Sequence, residues 1–127
     1  MKILIAMALA AVLTVSPSSA QQKSQPSPED YSIVADKTEN GVRTIVAAPS
    51  RMVCSRKIVV KVELKTMKIT ELDYTGGCPG NLNALCTILK GMTVDEVVTK
   101  LDGNDCGGRG TSCMDQLCRI LKKSFNI

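Results

Sequence analysis

The sequence predicts an α+β fold: an antiparallel sheet of about three strands with helices packed on one face, preceded by an N-terminal β-hairpin. Three observations predict it. Between Tyr31 and Tyr74 the chain carries β-prone runs, and the clearest alternates apolar Ile58, Val60, Val62 and Leu64 with Val59, Lys61, Glu63 and Lys65. From Leu82 onward the apolar residues recur at helical spacing. The change of period falls at one stretch, Gly76-Gly77-Cys78-Pro79-Gly80, so strands come first and helices last.

Taken in order, the chain opens with Met1-Lys2, an apolar run from Ile3 to Val15, and small residues at Ser18 and Ala20 before Gln21-Gln22. This is the pattern of a secretory signal peptide over residues 1–20, cleaved after Ala20. The run is too short to span a bilayer, which needs about 20 residues. No Cys follows the cleavage point, so no lipid anchor and no membrane association after cleavage are expected. The mature protein is expected in the periplasm or outside the cell, or in the cytoplasm if the signal is not used. Residues 21–29, rich in Gln, Ser and Pro, read as a linker.

Residues 30–50 read as the hairpin extension. Tyr31–Thr38 and Val42–Ala48 flank Glu39-Asn40-Gly41, and Asn-Gly is a strong hairpin signal. Ala48-Pro49-Ser50 breaks the pattern, and the main domain is placed over residues 51–127. Thr66-Met67 turns the alternating strand back into Ile69–Tyr74. Leu82, Leu85, Cys86 and Leu89 share one helical face, and Gly91 ends that helix. Thr93 with Glu96 fits a capping box for a second helix carrying Val94, Val97, Val98 and Leu101. After the Gly-rich loop Asn104–Gly110, Ser112 with Asp115 opens a last helix whose inner face holds Leu117, Ile120 and Leu121.

Composition narrows the chemistry. A chain of 127 residues, 44% hydrophobic, holds one packed domain. It has no His, which excludes His-based triads and His zinc sites. Aromatics are confined to Tyr31, Tyr74 and Phe125, and the net charge is only +4 with scattered basic residues, so no nucleic-acid partner is expected. What remains is sulfur: Cys54, Cys78, Cys86, Cys106, Cys113 and Cys118.

Cys78 precedes a helix in a double-Gly turn, and Cys113 sits in the first turn of the last helix. Helix N-termini carry partial positive charge and unpaired N–H groups, which suit a thiolate ligand. Cys106 lies in the Gly-rich loop and Cys54 precedes the long strand. Cys86 falls on an apolar helix face and reads as a small buried hydrophobe. Cys118 lies about 140° round the helix from Cys113 by helical geometry and reads as packing. Four thiolates, Cys54, Cys78, Cys106 and Cys113, could close a zinc site or hold an iron–sulfur cluster. No Cys-x-x-Cys is present, however, and an exported chain with an even number of Cys is a disulfide framework by default. The residues alone leave metal and disulfides both open.

Val53-Cys54-Ser55-Arg56-Lys57-Ile58, Gly76-Gly77-Cys78-Pro79-Gly80-Asn81-Leu82, Lys90-Gly91-Met92, and Cys106-Gly107 with Thr111-Ser112-Cys113-Met114-Asp115-Gln116-Leu117 resemble the TSCPD domain family in motif order and spacing, over about residues 51–122. The family's motif has Pro where this chain has Met114; Pro there would only pre-set the first helical turn. TSCPD domains end class II, cobalamin-dependent ribonucleotide reductases and also occur as stand-alone proteins. The resemblance implies a metal ion as partner, zinc or an iron–sulfur cluster, held by Cys54, Cys78, Cys106 and Cys113. A weaker similarity to U-type iron–sulfur scaffold proteins implies a three-stranded sheet with helices on one face and about three Cys ligands.

Three functions are therefore expected in turn. The first is a small exported metal-binding module, structural or accessory, with a protein partner the sequence does not identify and no assigned catalytic residue. The second is a ribonucleoside-diphosphate reductase-related role, implied by the resemblance; the chain is too short to supply the barrel, radical cofactor and nucleotide pocket of that reaction by itself. The third is a disulfide-stabilised or thiol-redox protein, with Cys106 and Cys113 as a candidate cycling pair. The loop from Gly103 to Ser112, with Arg109 and Ser112, is also a candidate anion site at a helix N-terminus, although it lacks the Gly-Lys-Ser/Thr ending of a P-loop.

Overall fold

A computed structural model of the chain describes residues 11–14 and 24–127. Apart from 11–14, the expected signal peptide lies outside the described residues, as do residues 21–23 of the linker. Four strands, β1 (Ser32–Glu39), β2 (Val42–Ala48), β3 (Ser55–Glu63) and β4 (Lys68–Gly76), are followed by three helices, α1 (Pro79–Leu89), α2 (Val94–Leu101) and α3 (Cys113–Phe125). The sheet is an antiparallel meander in the order β1-β2-β3-β4. The α+β architecture expected from the sequence is present, and among the described residues no helix is long and apolar enough to cross a membrane.

Local chemistry explains the turns. Glu39 pairs with Val42, which leaves a two-residue loop; Asn40 and Gly41 adopt φ of 51° and 76° there, the doubly left-handed conformation that matches strand twist. The hairpin differs from the expected extension in one respect: β2 is hydrogen-bonded to β3 from Val42↔Glu63 to Ala47↔Ile58, so hairpin and main sheet are one surface. The intervening Pro49 and Ser50 are buried as a corner inside the fold. Leu64, expected to face inward with Ile58, Val60 and Val62, lies beyond the end of β3 in the turn and is exposed.

Alternation puts Ile45, Val60 and Leu72 side by side on the inner face, with Ala47 and Ile58 in the next row. Against them pack Leu89 of α1, Val94 and Val97 of α2, and Leu117, Ile120 and Leu121 of α3. Each such side chain taken out of water contributes about 1.5–3 kcal/mol before entropy is counted. The opposite face carries Lys61 and Glu71 as an ion pair at 3.1 Å.

α2 and α3 start where the sequence placed their caps. Thr93 Oγ1 accepts from the Glu96 amide at 3.2 Å, and the Glu96 carboxylate accepts from the Thr93 amide at 2.8 Å. Ser112 Oγ accepts from the Asp115 amide at 3.0 Å. At the far end of α3, Arg43 donates to the Ser124 carbonyl at 2.7 Å and stacks 4.7 Å from the Phe125 ring, which ties the helix end to β2. α3 is thus fixed at both ends, with its N-terminus beside the connections on either side of the sheet.

Candidate functional site

Three connections meet at the N-terminal end of α3, each delivering one cysteine, and the helix itself supplies a fourth. Cys54 immediately precedes β3, Cys78 is the N-cap position of α1, Cys106 lies in the α2–α3 loop, and Cys113 is the first residue of α3. All four line a single cleft of about 200 Å³, together with Asn81, Leu82 and Met114. Cys54, Cys78 and Cys106 are exposed and Cys113 is buried; all are free thiols.

The Cys54 and Cys113 sulfurs are 3.9 Å apart. That is too long for a disulfide, which requires about 2.05 Å. It matches the sulfur–sulfur edge of a tetrahedral zinc–thiolate site, about 3.8 Å for zinc–sulfur bonds of about 2.3 Å. Among the described residues, however, no group of three or more Cys, Asp or Glu side chains is gathered closely enough to hold a metal ion. The donor set therefore fits a thiophilic metal in chemistry and in one edge, while Cys78 and Cys106 share the cleft without joining the pair. The candidate redox pair is also different from the expected one: Cys113 touches Cys54, not Cys106.

The backbone permits this approach at Gly77. Its φ is +84°, and a Cβ there would fall 2.7 Å from Leu82 Cδ1 and 3.5 Å from Cys54 Sγ. At this φ a side chain would strain the turn and push Leu82 Cδ1 aside, so Gly suits the turn that carries Cys78 past Cys54. Tyr74 of β4 donates its hydroxyl to the Cys113 carbonyl at 3.1 Å, anchoring the start of α3 to the sheet. Burial, with nearby thiols adding to it, pushes the Tyr74 phenol well above its usual range, so it remains a neutral donor.

The α2–α3 loop is held by its own carboxylates. Asp105 accepts from the Gly108 amide at 2.7 Å and the Gly110 amide at 2.5 Å. The Cys106 amide donates to the Thr111 carbonyl at 3.1 Å. Asp115, buried in the first turn of α3, accepts from the Gly103 amide at 2.8 Å and the Thr111 hydroxyl at 2.6 Å, one at each end of the loop. It also accepts from Arg119 Nε at 2.7 Å. Burial by itself would raise the Asp115 carboxyl, but the hydrogen bonds from Arg119, Thr111 and Gly103 outweigh it and hold the group below its usual value. Of the residues expected at an anion site, Ser112 caps α3 and accepts from Asn104 Nδ2 at 3.2 Å, while Arg109 reaches Cys106 Sγ at 3.9 Å. Two of the loop amides already face Asp105.

Gln116 joins this loop to the turn that carries Cys54. Its Oε1 accepts from the Ser50 amide at 2.9 Å, and its Nε2 donates to the Thr111 hydroxyl at 3.0 Å and the Pro28 carbonyl at 2.9 Å. Met52 in turn donates its amide to Ser50 Oγ at 3.2 Å, and the Val53 amide donates to the Ser50 carbonyl at 3.2 Å. Sequence reasoning gave Asp115 only a capping role and Gln116 none. Their position, two and three residues after Cys113, was the available signal.

The remaining cysteines stand apart. Cys118 is fully buried with its sulfur 3.7 Å from the Val97 carbonyl, and burial pushes its thiol up to about 12. Cys86 is half-buried against the main core, and burial raises its thiol as well.

Among known families, the TSCPD domain model matches residues 29–125, which takes in β1 and β2 as well as the region that carries the motifs. No curated protein and no solved structure matches the chain. With a family match over about three quarters of its length and the cysteine-bearing motifs gathered around one cleft, the chain belongs to the TSCPD domain family.

Proposed function

We propose that this chain is a small exported TSCPD module that binds a metal, zinc or an iron–sulfur cluster, through cysteine thiolates in a structural or accessory role. The observation that carries the reading is the single cleft lined by Cys54, Cys78, Cys106 and Cys113, in which the Cys54 and Cys113 sulfurs stand 3.9 Å apart. Those two would supply the first edge of the ligand set, and Cys78 and Cys106 would complete it. Bound metal would link a strand entrance, a helix cap, a loop and a helix start. In zinc-finger peptides such binding contributes about 10–16 kcal/mol, more than the 2–4 kcal/mol typical of one disulfide, roughly speaking.

The size of the cleft supports an ion over a nucleotide. At about 200 Å³ it is smaller than ordinary small-molecule sites, which run to about 300–1,000 Å³. A link to ribonucleotide reduction would thus be accessory to a larger partner protein. Export rests on the Met1–Ala20 pattern.

Elemental analysis of anaerobically purified protein tests the metal reading. A stoichiometric metal that is lost in Cys54→Ser and Cys113→Ser but retained in Cys86→Ser supports it. Metal-free protein with six titratable thiols and no zinc uptake overturns it. The mass of the protein recovered from the producing cell reports whether residues 1–20 are removed.

A further inference from the structure

We propose that Cys54 and Cys113 form a reversible dithiol–disulfide couple. Of the six thiols, these two are in contact, at 3.9 Å, and among the described residues no second pair of thiols is in hydrogen-bonding contact. Their exposures are unequal: Cys54 is open to solvent and Cys113 is 7% exposed behind it. That asymmetry assigns an order. Cys54 is the sulfur an external oxidant meets, and Cys113 is the resolving sulfur beneath it.

The chemistry is thiol–disulfide exchange with a low-molecular-weight disulfide such as oxidised glutathione. Cys54, as thiolate, attacks one sulfur of the reagent; its S–S bond breaks and one thiol leaves. Cys113, as thiolate, then attacks the Cys54 sulfur of the mixed disulfide, and the second thiol leaves. The chain loses two protons and two electrons, and the reagent gains both. The two sulfurs must close from 3.9 Å to about 2.05 Å. The exposed Cys54 side chain, at the end of the β2–β3 connection, makes that movement.

The other sulfurs are placed differently. Cys118 and Cys86 lie away from the cleft, against the core. Cys106 is held in its own loop through its amide and is contacted by Arg109. Cys78 shares the cleft, but among the described residues its sulfur is in hydrogen-bonding contact with no other thiol, so oxidation selects the Cys54–Cys113 bond. If the metal reading holds, that bond consumes the preassembled edge of the ligand set, so the oxidised chain cannot take up metal until it is reduced.

The test uses the full metal-free chain, oxidised with glutathione disulfide and digested with trypsin without reductant. The expected product joins the peptide Met52–Arg56 to Gly110–Arg119, with fragment ions placing the bond on Cys113 rather than Cys118. Cys113→Ser should instead accumulate a stable glutathione adduct on Cys54, because the resolving sulfur is gone. A principal cross-link to Cys78 or Cys106 overturns the proposal, as does a glutathione adduct on Cys54 that never resolves in the parent chain. Zinc uptake is then measured on the reduced and oxidised forms. A chain that forms the bond but takes up no zinc when reduced sinks the metal reading and leaves the couple standing.

Discussion

The apolar core and the thiol cleft share one helix, the cleft at its first residue and the core along its middle turns, and they are held by different means. Around Leu117, Ile120 and Leu121 the helix packs on Ile45, Val60 and Leu72, and many side chains share the burial. Around Cys113 the apolar cluster is small, Val53 and Leu82 with Tyr74, Leu85 and Met114 against it, and a few hydrogen-bonding groups join it: Asp115, Gln116, Ser112 and the Tyr74 hydroxyl. Dispersion and hydrophobic burial are non-directional, so the core tolerates small displacements. Buried hydrogen bonds are directional, and a lost partner leaves the other group desolvated. The core fixes where α3 lies, whereas the polar groups fix where the sulfurs lie.

Mutations on the polar and the apolar side of the helix should separate these roles. Asp115→Ala has the largest expected effect, about 3–5 kcal/mol of lost stability, because the Gly103 amide, the Thr111 hydroxyl and Arg119 Nε lose one buried acceptor together, while Arg119 keeps Glu29. It also frees Gly103 and Thr111, so proteolysis within residues 103–111 should rise. The carboxyl is held below its ordinary value of 3.8, so its stabilisation is complete above that pH and is lost as pH falls through the depressed folded value. Acid unfolding monitored by circular dichroism should show a shallower limb in the variant.

Leu117→Ala should cost about 2–5 kcal/mol by chemical denaturation, from lost burial and the cavity left behind. The cleft should persist, and oxidation below the unfolding midpoint should still yield the Cys54–Cys113 bond. If that bond is lost in step with stability, the division between core and cleft is wrong.

Gln116→Leu sharpens the comparison further. It strands the buried Ser50 amide, at a cost of about 1–3 kcal/mol, while the part-buried Pro28 carbonyl is left to water. The smallest loss of stability of the three should accompany a slower internal step of oxidation, because the turn carrying Cys54 is no longer tied to α3. Stopped-flow thiol release resolves that step from attack at Cys54. An unchanged rate would remove Gln116 from the positioning of the sulfurs.

Features set by neighbouring residues were readable from the sequence. Asn40-Gly41, the Thr93–Glu96 box and the Ser112 cap each act within a few residues, and each appears in place. The continuity of β2 with β3 was not readable, because Pro49-Ser50 looks like a boundary when its partners are unknown. Ser50 is held by Gln116, 66 residues away. The same distance effect hid the contact between Cys54 and Cys113, which are 59 residues apart, and suggested the nearer Cys106 instead. The packing role of Cys118, by contrast, followed from its helical phase relative to Cys113.

The meander also dictates an order of assembly. Every strand pairs with its neighbour along the chain, so β1 to β4 can form hairpin by hairpin as the polypeptide emerges, with short closures at each step. Cys113 arrives only on the final helix, after Cys54, Cys78 and Cys106 have all been made. The first three sulfurs must therefore wait, unguarded, for the last segment to dock, and whatever reaches them in that interval decides whether a native cleft is ever built.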